Sequence, residues 1–293
     1  MLAGHTRPYW QYCTPDEKLL YMDCPRCSAP IRGNERNCPS CDSDVGYPNA
    51  RAAKEYEEKA ALAKRYAEAL ENASGRGCGD VVVAFLGALK SSVAAICRSL
   101  SKVKELVSSP NEIYATFYQL VGAGARRLEG SRMDLQRRIA DSIMFPYYEK
   151  DIRFAILSLD GVGATAYGDC SVVLKDIAIS ERATVFEENS VLYCEKRGLG
   201  VAQLLPPGYR ATWEDRGILA TAKLEPKFVP STSAAEFPAI LVGNTGQDFV
   251  EVHIFGPLNQ GSIERIVARK PKTEADRILL EEIKRHAAVE VSL

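Results

Sequence analysis

The chain carries Cys24-Pro25-Arg26-Cys27 and, a short loop later, Cys38-Pro39-Ser40-Cys41. Each Cys-Pro-x-Cys turn is tight enough to present two thiolates to one ion, and two such turns complete a tetrahedral set around zinc. The competing reading, two disulfides, needs an oxidising compartment. Residues 1–12 hold no apolar run of the secretory type and carry His5, Arg7 and Tyr9 instead. A four-thiolate site has no open position for water or substrate, so the expected zinc is structural: it holds a ribbon over residues 1–48 together and catalyses nothing. The remaining cysteines, Cys13, Cys78, Cys97, Cys170 and Cys194, show no second paired spacing and leave an odd total. Both facts suit free thiols in a reducing cytoplasm.

The other bulk properties mainly exclude. A net charge of -1 gives no global attraction to nucleic acid or to acidic membranes. The longest apolar stretch, residues 81–97, is short for a membrane span and places Lys90, Ser91 and Ser92 near its centre. A lysine at mid-bilayer costs about 2.5 to 3.5 kcal/mol on insertion scales. No membrane partner is expected.

Periodicity divides the rest in two. Residues 49–108 read as a helical linker: a helix over 50–72 with a thin apolar stripe, capped by Asn49 and suited to a spacer, a glycine-rich break at 74–79, and a strong helix over 80–108 with Phe85, Leu89, Val93, Ile96, Leu100, Val103 and Val107 in steps of three and four. A third domain follows over 109–293. It begins with a helix over 113–120 and an arginine cluster, Arg126, Arg127, Arg132, Arg137 and Arg138, which suits either a phosphate grip or a solvated helix face. From residue 152 the texture turns to strands, at 153–159, 170–174, 183–186, 239–242 and 249–255, with helices at 208–223 and 273–288. The class expected is α+β: a small zinc ribbon, a helical middle region and a mixed, mainly antiparallel sheet.

Two places have chemical potential. Along residues 249–255, alternation sets Phe249, Glu251, His253 and Phe255 on one strand face. A carboxylate amid an apolar strand must be paired, hydrogen-bonded or used, unless this is an edge strand with a wet face. The second place spans Tyr167-Gly168-Asp169-Cys170 and Arg182 to Ser190, with an aromatic, an arginine, acids and small polar groups beside strands. No Ser-His-Asp set exists, since the histidines are His5, His253 and His286 and no serine sits in a nucleophile elbow. A nuclease built on Glu187, Glu188 and His253 lacks a recognisable spacing.

Several blocks taken together, residues 114–124, Phe145-Pro146-Tyr147-Tyr148, the strand at 154–159, Tyr167-Gly168, Arg182-Ala183-Thr184, and Glu251 through Gly256-Pro257, resemble those of a bacterial family similar to ADP-ribosyltransferase toxins. The resemblance covers the second half of the chain and somewhat more. It implies that 109–293 is an ADP-ribosyltransferase-like domain with NAD as substrate, and that Glu251 is the catalytic acid that supports the oxocarbenium-like transition state. Tyr167, Arg182 and Ser190 would shape the nucleotide pocket. Of the arginines that would hold NAD, Arg153 opens a strand while Arg126 and Arg127 lie beside glycines; Arg153 is preferred. Ser231-Thr232-Ser233 matches a triplet of one transferase class but has the composition of a plain loop. The family's usual Gln or Glu two residues before the glutamate is replaced by Phe249, with Gln247 four before, which bears on the acceptor. The function implied is a cytoplasmic toxin or defence effector acting on a macromolecular target, with an antitoxin or activator as further partner. The alternative is a non-enzymatic zinc-ribbon adaptor that binds nucleic acid or protein.

Overall fold

The fold is described from a computed structural model, which covers residues 21–109, 114–124, 132–200, 205–243 and 247–293. Cys13, Arg126 and Arg127 lie outside the described residues.

An antiparallel pair, β1 (Tyr21–Asp23) and β2 (Pro30–Arg32), opens the described chain. The main sheet has eight strands: β3 (Val93–Arg98), β4 (Ile152–Ser158), β5 (Cys170–Leu174), β6 (Ala183–Phe186), β7 (Arg210–Thr212), β8 (Glu251–Phe255), β9 (Ile263–Ala268) and β10 (Glu290–Ser292). Their order is β10-β9-β5-β3-β4-β8-β6-β7, antiparallel throughout except for the β9/β10 pair. Helices interleave with these strands, so the class is α+β, as expected.

The stretch at 80–108, expected as one helix, is a helix (Gly79–Leu89), the strand β3 and a second helix (Leu100–Val107). Ser91 and Ser92 close the first helix, their N–H groups reaching back to the Ala88 and Leu89 carbonyls, and Ser92 Oγ also donates to Leu89 O. The apolar run that follows is hydrogen-bonded on both edges, to β4 and β5. A continuous apolar run reads equally as buried helix or buried strand, which is why periodicity misled here. β3 thus comes from the segment read as a helical linker and lies inside the sheet.

The 50–72 helix is also not a free spacer. It is two helices, Pro48–Lys54 and Tyr56–Gly75, with extended backbone at Glu55 between them. The longer one buries Leu62, Ala69 and Ala73. It is pinned by Glu58, which accepts from the Gly208 N–H at 2.6 Å and from Arg210 Nε at 2.5 Å, and by Arg65, which donates to Glu187 at 2.5 Å. The 74–79 break is a tight corner: Cys78 is buried, and Arg76 donates to the Glu225 and Phe228 carbonyls. Phe85, Phe228 and Phe237 pack with ring centroids 4.9 to 6.0 Å apart, each such pair adding about 0.5–1.5 kcal/mol beyond burial.

Two further elements differ from expectation. Residues 239–242 belong to a helix, Phe237–Val242, because Pro238 sits in its first turn and Gly243, at φ 72°, ends it. The expected 208–223 helix is β7 followed by a helix over Arg216–Leu224, since Thr212 Oγ1 donates to Asp215 and closes a turn between them.

Candidate active site

The two cysteine turns fold alike. In each, the N–H four residues after the first cysteine returns to its carbonyl, Ser28 to Cys24 and Asp42 to Cys38, both at 2.8 Å. Ser28 and Asp42 take φ of 58° and 54°, which carries the chain round so that the four thiols converge. The Cys24, Cys27, Cys38 and Cys41 sulfurs all lie within 4.8 Å of one another. The donor set is that of a closed metal site.

Three side chains fasten this module to the rest. Arg51 donates to the Gly33, Glu35 and Gly46 carbonyls of the ribbon. Tyr47 accepts from Arg36 at 2.7 Å and packs its ring 5.6 Å from that of Phe255. Asn49, expected to cap a helix, is instead buried one residue after Pro48; Tyr47 holds the cap position. The Asn49 amide donates to the Arg182 carbonyl at 2.9 Å and to the His253 carbonyl at 3.1 Å, linking the residue before β6 to the middle of β8.

β8 lies between β4 and β6, and Glu251 on it is buried. The side chains of Val252 and Ile254 enter the main core, while Glu251 and His253 occupy the other face. There His253 stacks on Phe186 and meets Phe145 and Phe154 edge-on. Glu251 Oε2 accepts the Ser190 N–H at 3.0 Å and lies 2.9 Å from His253 Nε2. Burial pushes its carboxyl up, but His253, Arg137 and the Ser190 N–H outweigh that and hold it below the usual carboxylate range. Both contacts engage Oε2 and not Oε1.

Glu251 forms part of the wall of a cavity of about 610 Å³, within the range typical of small-molecule sites. Tyr167, Asn189, Phe249, Arg98, Arg137, Asp141, Tyr118 and Arg153 also line it. Tyr167 is set by its neighbour: Gly168, at φ 142°, lies so close to the Arg98 backbone that a Cβ would come within 2.2 Å of Arg98 C. The Tyr167 hydroxyl accepts from Asn189 Nδ2 at 3.0 Å, and Asn189 Oδ1 caps the helix Ser190–Lys196. That cap is what aims the Ser190 N–H at Glu251.

Of the residues the sequence proposed, Glu251, Tyr167 and Arg153 come together on this cavity. The Arg153 guanidinium is buried and donates to Asp151 O and Gln119 Oε1. Ser190 contributes its backbone N–H and not its hydroxyl. Arg182 does not line the cavity: its guanidinium donates to the Ala178, Phe255 and Pro257 carbonyls, so it braces the exit of β8. Ser233 and Thr232 make only local turn bonds, as a plain loop would. Glu187 and Glu188 are taken up by Arg65, Arg197 and Lys196, which leaves no nuclease set with His253.

Arg98, Asp141 and Tyr118 were not legible as site residues. Asp141 sits on the helix Arg132–Met144, wholly buried, with Tyr118 donating to its Oδ2 at 3.0 Å and Arg137 Nε at 3.4 Å. Burial pushes its carboxyl up to about 6 against the opposing pull of Arg137 and Tyr118. Arg137, read as part of a basic cluster, stacks over Phe154 at 3.8 Å on the cavity wall.

No family model and no curated protein matches the chain. Among solved structures it is similar to Thermus sp. 2.9 DarT in complex with carba-NAD+, at 7% sequence identity and a TM-score of 0.36, over 69% of this chain and 95% of that one.

Proposed function

We propose that the chain binds NAD in the cavity and transfers its ADP-ribose to a macromolecular target, with Glu251 as the catalytic carboxylate. The observation that carries this reading is Glu251 itself: a buried carboxylate, held ionised by the Ser190 N–H and His253, on the wall of a cavity large enough for part of a dinucleotide. As the bond between ribose C1′ and nicotinamide breaks, positive charge grows on the ribose. A fixed anion in a water-poor site stabilises that charge without having to reorganise. Tyr167 offers an aromatic face, and Arg98, Arg137 and Arg153 supply cations for the diphosphate.

The four cysteines hold zinc in this reading, and the ion keeps the ribbon folded so that Asn49 and Tyr47 stay against β8. A toxin or defence role in the cytoplasm, restrained by an antitoxin, is consistent with such chemistry and follows from the family resemblance. Hydrolysis of a fluorescent NAD analogue tests the reading. Glu251→Gln is expected to lower turnover by about 10²–10³-fold, the scale for one transition-state contact; equal turnover in wild type and variant removes Glu251 from the chemistry.

A further inference from the structure

Among the described residues, four carboxylates, Glu105, Asp134, Asp141 and Glu251, line the cavity, and two of them, Glu251 on β8 and Asp141 on the helix Arg132–Met144, are bonded very differently. Glu251 Oε2 has two partners. Asp141 is likewise buried, yet its Oδ1 has no hydrogen-bond partner among the described residues. A buried carboxylate oxygen with nothing to bind is uncommon, and beside a cavity it is a candidate for use, as Tyr114 Oη and Arg153 Nε on the same wall are. The helix and the strand are locked together here: Arg137 lies over Phe154, and Phe154 meets His253 edge-on at 5.4 Å.

We propose that Asp141 is the base that accepts the proton of the incoming nucleophile, so that the acceptor is a group that must lose a proton to react, a hydroxyl or N–H, and not a carboxylate. This rests on the reading of the cavity as an ADP-ribosyl transfer site. In the step, the C1′–nicotinamide bond breaks and its electron pair leaves with nicotinamide, which becomes neutral. The nucleophile's lone pair forms the new bond to C1′, its proton passes to the Asp141 carboxylate, and water later removes it. Glu251 stays ionised throughout.

The surroundings of the two acids support this division. Glu251 is held below the usual range and Asp141 is pushed up to about 6 by burial, which makes Asp141 the stronger base of the pair. Tyr118 and Arg137 hold its Oδ2 side, fixing the carboxyl plane. A carboxylate acceptor would already be ionised, would need no base, and would meet the like charge of Asp141 at the cavity wall.

The test uses the full chain, NAD, and water, methanol or azide as nucleophile, with products resolved by mass spectrometry. Azide reacts as an anion and gives up no proton. Asp141→Asn is expected to slow transfer to water and methanol by about 10²–10⁴-fold and to leave azide adduct formation at or above the wild-type rate, because the like charge that opposes an anion at the cavity wall is then gone. Glu251→Gln should lower all three. An Asp141→Asn variant that loses azide transfer equally, or loses nothing, overturns the proposal. Should that variant not fold, Tyr118→Phe replaces it, with water and methanol transfer expected to fall and azide transfer to hold; equal loss with all three overturns the proposal again. If the wild-type chain cleaves NAD with none of the nucleophiles, the transfer reading itself falls; if it does and Glu251→Gln does not, the response of Asp141→Asn judges the base alone.

Discussion

The cysteine ribbon and the cavity are built on opposite plans. The ribbon's four thiols lie within eighteen consecutive residues, Cys24 to Cys41, and two copies of one turn bring the sulfurs together. The cavity draws on β3, β4, β8, the helix Arg132–Met144 and the Tyr167–Asn189 bond, segments far apart in the chain. The first is a local arrangement that an ion would close; the second is a by-product of the whole sheet. A local site stands or falls with its ligand, whereas a distributed one stands with the fold and is tuned by burial.

Chelation should separate the two most sharply. Structural zinc contributes about 10–16 kcal/mol in small metal modules, so removal of the metal should abolish hydrogen-exchange protection over residues 21–47 while β4 and β5 keep theirs. Simultaneous loss in the sheet would mean that the two regions fold as one unit. Next in size is a pH effect confined to the cavity. The Asp141 carboxyl rises from an ordinary 3.8 to about 6 on folding, so the folded state binds the proton more tightly. Stability linked to it is full below about pH 4 and is lost as pH rises through about 6, by about 3 kcal/mol at most. Asp141→Asn should flatten that part of a denaturation series between pH 4 and 6; an unchanged slope would mean that burial does not act on this group.

Smaller effects probe the seam between the regions. Asn49→Ala leaves the Arg182 and His253 carbonyls without their side-chain donor and should cost about 1–3 kcal/mol in urea unfolding. A loss below about 0.5 kcal/mol would show that water replaces the amide without penalty. The least effect is expected at Lys227, whose ion pair with Asp248 is partly exposed. Lys227→Ala should change stability by under about 1 kcal/mol and only at low salt.

Legibility followed the same division. The ribbon was readable because spacing alone specifies it, and β5, β6 and β8 were readable because alternation and β-branched runs are local signals. Glu251 stood out for the same reason: a charge in an apolar strand is conspicuous. β3 was hidden, because an apolar run that also fits a helical stripe takes its state from the partners on either side of it. Arg182 and Asp141 show the limit from both directions. An arginine beside a strand looked like a ligand group, but its Nε and Nη1 are spent on the Ala178, Phe255 and Pro257 carbonyls; Asp141 carried no local signal, because only the packing of its helix turns it inward.

The Asn49 bridge sets a boundary for anyone who would dissect this protein. A shortened chain that begins at residue 56 would lose the amide that joins β6 to β8 and the Tyr47 ring that covers Phe255. Phe255, at the end of the strand that carries Glu251, would then be uncovered on one side. A fragment that keeps β8 covered as it is here therefore starts no later than Tyr47.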